Sequence, residues 1–191
     1  MYNIKDGSKT WISKGWDFDV TNIVWDKNET IYFACSHMGT SQIFKTGLEG
    51  KGVVQLTEGI HNLGPFSLKS GVMISQLTSM SMAPEIASID IKSFSIKQIT
   101  SINKNIYDNI RMGKVEEKHT RTKDGKDLQM WVIYPPDFDK AKKYPALLFC
   151  EGGPQSALDQ FWSYRWNMQM IAAKGYIVFA PNRRGVSGFG Q

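Results

Sequence analysis

Glu151-Gly152-Gly153-Pro154 follows directly on the apolar run Ala146-Leu147-Leu148-Phe149-Cys150. Two glycines at the end of a strand let the backbone turn sharply, and they leave no side chain between the peptide N–H groups and an approaching group. Fixed donors of that kind stabilise the negative charge that develops on a carbonyl oxygen during acyl transfer. Glu151, Gly152 and Gly153 are therefore the candidate oxyanion-loop residues. The glycine pair taken alone equally suits a tight strand-to-helix turn that holds nothing. An ionised glutamate is acceptor-only and would repel an oxyanion. Three readings of Glu151 follow. A backbone N–H of the glycine pair serves, or a cation such as Arg165, Arg183 or Arg184 holds Glu151 away, or Glu151 merely caps the loop or faces solvent.

The partners such a loop needs are missing from the sequence. Ser187, in Gly185-Val186-Ser187-Gly188-Phe189, has Phe where a nucleophile elbow needs Gly. His37, His61 and His119 all precede the glycine loop, none with Asp or Ser at a recognisable spacing, and they read as surface or turn residues. No Cys/His spacing suits zinc and no glycine-rich run suits phosphate, so neither metal nor cofactor is expected. Cys35 and Cys150 both stand in apolar runs and read as buried free thiols. The net charge of +5 is scattered; its densest cluster, Lys140, Lys142 and Lys143, is broken by Asp137 and Asp139 and reads as solvated surface, not a nucleic-acid site. No apolar run approaches the roughly 18 residues of a membrane span, and Met1–Asp6 has no signal-peptide core.

The elements that must position the loop are legible on either side of it. Residues 146–150 read as a strand buried on both faces. Helix candidates lie between Ala157 and Lys174, where Leu158, Phe161, Trp162, Trp166, Met170 and Ile171 fall near helical spacing, with Trp162 and Trp166 on one face. Gly175 stands where a glycine cap belongs, and Gly175–Pro181 is a second strand. Strand, helix and strand in that order imply a parallel crossover. Upstream, Lys118–Thr122 and Asp127–Tyr134 flank Lys123-Asp124-Gly125-Lys126, a hairpin in which Gly takes positive φ. Trp131 alternates with apolar neighbours and reads as core, and Pro135-Pro136 ends its strand.

The first hundred residues repeat. Ile12-Ser13, Leu56-Thr57 and Ile99-Thr100 each close a strand-like run, 44 and 43 residues apart. Within one repeat, Ile23–Trp25, Ile31–Ala34, Gln42–Lys45 and Val53–Leu56 are separated by turn residues, among them Asp26-Lys27-Asn28-Glu29. The next repeats the pattern with Phe66–Leu68, Val72–Ser75, Glu85–Ile89 and Ile96–Ile99. Periods in the forties with four short strands are the signature of propeller blades. Two repeats and a leading remnant do not close such a ring, and an open β-sheet domain is the simpler alternative. Residues 101–116 form a polar connector.

Tyr144-Pro145 through Gly185, with Gly188-Phe189-Gly190, resembles the start of the catalytic domain of the prolyl oligopeptidase family of serine peptidases, most closely the Bacteroides-type dipeptidyl peptidases. Asp124-Gly125, Trp131–Asp139 and Lys142–Pro145 resemble the approach to that domain, and the upstream part resembles the end of the family's β-propeller. The resemblance implies a mixed β and α/β chain. Residues 1–105 would be the last, incomplete blades of a β-propeller. Residues 106–191 would be a linker and the N-terminal part of an α/β-hydrolase domain that stops before the nucleophile. It implies a peptide-cleaving parent that works through an acyl-enzyme, its Ser, Asp and His lying downstream and this chain inactive alone. Arg183 and Arg184 would tie loops together near the active site. Glu151 departs from the family, which has tyrosine or histidine there. A bacterial parent, periplasmic or cytoplasmic and compatible with a homo-oligomer, fits the resemblance. The rival classes are a non-catalytic propeller module that binds protein partners and an esterase or acyl hydrolase.

Overall fold

The computed structural model describes residues 1–27, 29–153 and 155–190. Asn28, Pro154 and Gln191, which the sequence reading touched, lie outside the described residues. The described residues are mostly β-sheet, with two short helices among them.

Alternating apolar residues and glycine-bearing turns build the first sheet from two antiparallel meanders. One holds β1 (Val20–Trp25), β2 (Thr30–His37), β3 (Thr40–Gly47) and β4 (Val53–Gln55); the other holds β5 (Asn62–Lys69), β6 (Val72–Ser79), β7 (Met82–Asp90) and β8 (Ile96–Gln98). They are joined by a parallel contact of Ser41 with Asn62 and by the Asn22 side chain, which donates to Phe66 O at 3.0 Å. The sheet is open, running from β1 to β8. Met38 and Gly39 between β2 and β3, and Ser70 and Gly71 between β5 and β6, both take positive φ in succession, as a type I′ hairpin turn requires. Tyr32, Ile43, Leu63, Met73 and Ile89 close one core, and Phe33, Cys35 and Phe44 another. The expected strand remnant at Ile12-Ser13 is instead a turn. Trp16 and Phe18 follow it and pack on that second core, with Trp16 and Phe44 ring centroids 5.0 Å apart.

A four-residue helix, α1 (Lys104–Tyr107), interrupts the polar connector; Tyr107 Oη accepts from Ala83 N at 2.7 Å. The second sheet has the order β11 (Ala146–Leu148), β12 (Ile177–Pro181), β10 (Asp127–Ile133), β9 (Val115–Arg121). The hairpin β9–β10 forms as its Asp-Gly turn predicts, with Gly125 at φ 76°. β11 and β12 pair in parallel, Ala146 against Ile177, and α2 (Met168–Ala172) lies between them in sequence. Trp131, Ile133, Leu158, Met168, Ala172, Val178 and Ala180 form its core. Met80, from the β6–β7 turn, enters the same cluster, so the two sheets share a packed boundary.

Three expectations are corrected. Residues 157–167 form no helix, and α2, at five residues, is little more than one turn. The backbone of Leu158 is bonded to side chains, as described below. Ser163 Oγ accepts from Arg165 N and from Trp166 N, a local turn that competes with the helical ladder. Asn167 then caps α2 by accepting from Gln169 N at 2.9 Å. Trp162 and Trp166 accordingly share no helix face, and Trp166 is exposed. β11 is not buried on both faces: it is the sheet edge, and Leu148 is 62% exposed. Cys150 lies past the end of β11 and is exposed. Cys35 is buried as expected, and burial pushes its thiol up to about 11. Among the described residues no helix is long and apolar enough to cross a membrane.

The candidate active-site loop

The last ladder bond before the glycine loop runs from Phe149 N to Phe179 O, 2.8 Å, so the loop opens at the C-terminal end of the parallel strand β11. A β-carbon on Gly152 would meet nothing within 4 Å, so open space lies beside its backbone. Gly153 has φ 106°, which favours glycine; a β-carbon there would stand 2.8 Å from Ser156 Oγ, a contact the hydroxyl can relieve by turning. Glu151 is half-buried.

Two of the three arginines named for this region, Arg184 and Arg165, are engaged elsewhere. Arg184 pairs with Asp124 at the tip of the β9–β10 hairpin, which ties the turn after β12 to that hairpin. The Thr122 hydroxyl, and then Arg184, hold the Asp124 carboxyl below its ordinary range. The Arg165 guanidinium lies 5.3 Å from the centre of the Trp166 ring. Neither cation is thus turned to Glu151. Arg183, Arg184, Gln129, Asn182, Met38 and Phe189 border a cleft of about 540 Å³.

The sequence reading gave Asn182 no role, yet it holds the segment that follows the glycine loop. Its Oδ1 accepts from Leu158 N at 2.7 Å. Its Nδ2 donates to Leu158 O at 2.8 Å and to Gln129 Oε1 at 2.6 Å. Trp131 Nε1 adds a third bond to the same residue, donating to Leu158 O at 3.1 Å. Ser187 N donates to Gln155 O at 3.1 Å, a second link between the two loops. Gln160 Oε1 accepts from Met80 N at 3.2 Å, and Gln169 bonds both Gly113 N and Gly113 O while donating to Ser81 Oγ at 2.8 Å. Gly113 has no room for a side chain, since a β-carbon would lie 1.6 Å from Tyr134 O. The only sequence signal for these amides was their placement in or beside apolar runs.

Ser187 and the three histidines make no nucleophile–base pair among the described residues. Ser187 is exposed, and among the described residues no hydrogen bond joins its Oγ to a histidine. His37 packs against Trp16, Phe18 and Phe44, and burial lowers its pKa. Burial lowers His61 in the same way. His119 is exposed on β9, with Nδ1 2.5 Å from Asp127 and Nε2 3.3 Å from Glu117; Asp127 chiefly raises its pKa. Asp159 is raised by burial, against a bond from the Asn62 side chain. No group of three or more metal-type ligands gathers among the described residues.

No family model matches the chain. Dipeptidyl-peptidase 5 of Porphyromonas gingivalis is 37% identical to it over 190 residues, which cover 99% of this chain and 28% of that protein. Over nearly its whole length the chain is thus similar to dipeptidyl peptidases of the prolyl oligopeptidase family. It spans well under a third of the length of the family relatives it matches. Two solved structures resemble the fold. Pyrococcus horikoshii acylaminoacyl peptidase has a TM-score of 0.76 at 22% identity, over 93% of this chain and 27% of that one. Porphyromonas gingivalis dipeptidyl peptidase 4 has a TM-score of 0.73 at 20% identity, over all of this chain and 28% of that one.

Proposed function

We propose that this chain is part of a serine peptidase, a dipeptidyl peptidase or oligopeptidase acting through an acyl-enzyme, and that Glu151, Gly152 and Gly153 supply one side of its oxyanion site. Residues 1–105 are read as β-propeller blades, and residues 106–191 as a linker and the start of an α/β-hydrolase domain. The two four-stranded meanders and the parallel pair β11–β12 support that division. Arg183 and Arg184 are read as loop supports, in keeping with the Arg184–Asp124 pair.

The observation that carries the reading is a glycine loop at the C-terminal end of a parallel strand, with open space beside Gly152. In acyl transfer the attacked carbonyl oxygen becomes an anion, and a backbone N–H placed against it stabilises that charge more than the neutral carbonyl. The second donor of such a site comes from the residue after the nucleophile. Gly152 leaves the approach clear, while Glu151, acceptor-only when ionised, serves through its backbone or not at all.

The test uses the whole protein on dipeptidyl and acyl-aminoacyl chromogenic substrates. Wild type should turn over and be labelled by a fluorophosphonate. Gly152→Val fills only open space, so it should keep its melting temperature. Its side chain would stand in the approach to the backbone N–H, so kcat should fall on the order of a hundredfold or more, as when an oxyanion donor is lost. A wild type neither active nor labelled, or a Gly152→Val variant of undiminished kcat, overturns the reading.

A further inference from the structure

The glycine loop is fixed at one end by the β11–β12 ladder, at Phe149 and Phe179. From there to Asn167 the described residues form no helix or strand, so among them no regular hydrogen bonding sets where the loop lies. Its other end is fixed at Leu158, which is 1% exposed and five residues past Gly153. Both backbone polar groups of Leu158 end on the side chain of Asn182, at 2.7 and 2.8 Å. Asn182 directly follows β12 and is itself 5% exposed, and its N donates to Gln129 O at 2.9 Å as an extension of the sheet. Its primary amide thus acts as a one-residue strand edge. It satisfies the buried N–H of Leu158, and it shares the buried C=O with the Trp131 indole N–H.

We propose that Asn182 is the positioning residue of the glycine loop. Through Phe179 and Asn182, β12 and its continuation hold both ends of the segment, and so set where the N–H groups of Gly152 and Gly153 point. The inference rests on reading that loop as the oxyanion site. Asn182 touches no reacting atom in this account.

The residue type follows from the geometry. The site needs one acceptor and two donations from a short flat group. Aspartate keeps the acceptor for Leu158 N but, when ionised, sets a charge against Leu158 O and Gln129 Oε1. Alanine leaves all three groups without this partner. The open loop should then move while the sheet beneath it stays, because Trp131, Val178 and Ala180 pack independently of the Asn182 amide. Donors displaced by as little as about 1 Å lose much of their effect on the transition state and little of their effect on substrate binding.

The experiment compares Asn182→Ala with wild type in the whole protein, with Gln42→Leu as control. Gln42 is a buried amide in the first sheet that bonds Gly59 O, His61 O and Thr57. Hydrogen exchange read by mass spectrometry should rise at least about tenfold over residues 150–158 in Asn182→Ala and stay unchanged over 177–180. Its kcat should fall at least about tenfold with KM within about threefold. Gln42→Leu should do neither. Asn182→Asp should recover towards wild-type kcat as pH falls, because only the protonated acid both donates and accepts; it carries the same exchange test if Asn182→Ala does not fold. Unchanged exchange at 150–158 in a folded variant overturns the inference, as does a kcat loss that Gln42→Leu matches. A wild type without turnover sinks the oxyanion reading alone, since the exchange measurement decides the positioning without it.

Discussion

The two sheets satisfy their backbones by different means. In the first, consecutive strands pair across short turns, and Met38-Gly39 and Ser70-Gly71 set the hairpins by their own φ values. In the second, β10, β11 and β12 are separated by long irregular stretches. Side-chain amides tie the stretch between β11 and β12 to distant backbone: Asn182 holds Leu158, while Gln160 and Gln169 reach out to Met80 and Gly113. The first sheet adds amide clamps of its own, as Gln42 does on Gly59 O and His61 O, but its hairpins are already set by local turn chemistry. Loops that must present backbone groups to open space need non-local clamps, because they cannot hydrogen-bond among themselves and remain open.

The strongest challenge to this contrast is Trp131→Ala. Trp131 is fully buried and holds Leu158 O through its indole N–H. Truncation should cost about 3–5 kcal/mol in the second sheet, read by denaturant unfolding. Amide protection in β2 and β3 should survive it; simultaneous loss in both sheets would make them one cooperative unit and dissolve the comparison.

A smaller effect sharpens the boundary. Gly39 belongs to a hairpin of the first sheet, but a β-carbon there would stand 3.0 Å from Trp131 Nε1 and 3.1 Å from Gln129 Nε2, at φ 72°. Gly39→Ala should destabilise by about 1–3 kcal/mol. Gly15→Ala has a similar φ of 81° and nothing within 4 Å, so it should cost less. Equal losses in the two variants' denaturation midpoints would show that the Trp131 contact contributes nothing.

The smallest effect is a pH dependence. Burial raises the Asp159 carboxyl above its ordinary 3.8, so the folded state binds that proton more tightly than the unfolded chain. Stability from this group is present below 3.8 and falls as pH rises through the folded value. Asp159→Asn should therefore raise the melting temperature at pH 7, on the order of 2 °C, with the gain fading as pH drops towards 3. A gain that persists undiminished at pH 3 would assign the effect to packing instead of charge.

The same contrast explains what could be read in advance. Alternation and turn residues located every strand of the first sheet and the β9–β10 hairpin, because those signals are local. The parallel pairing of β11 and β12 followed from their order with a helix between them. The stretch 157–167 failed because apolar spacing near 3.6 also arises when an irregular segment drops Leu158 into a core and leaves Trp166 outside it. Leu148 and Cys150 were misjudged because an apolar run does not say whether a strand is central or at an edge. Asn182 went unread because nothing in an asparagine after a strand announces a backbone partner 24 residues away.

The close approach of the two sheets limits how this molecule could be recombined. Met38 N donates to Gly188 O at 2.8 Å, and a β-carbon on Gly188 would fall 3.1 Å from the backbone of Ser36. A chimera that exchanged residues 1–105 for the matching block of a relative would replace one half of that contact and keep the other. The workable seam is three-dimensional: the β2–β3 turn and residues 185–190 have to travel together, whatever the junction chosen in the connector.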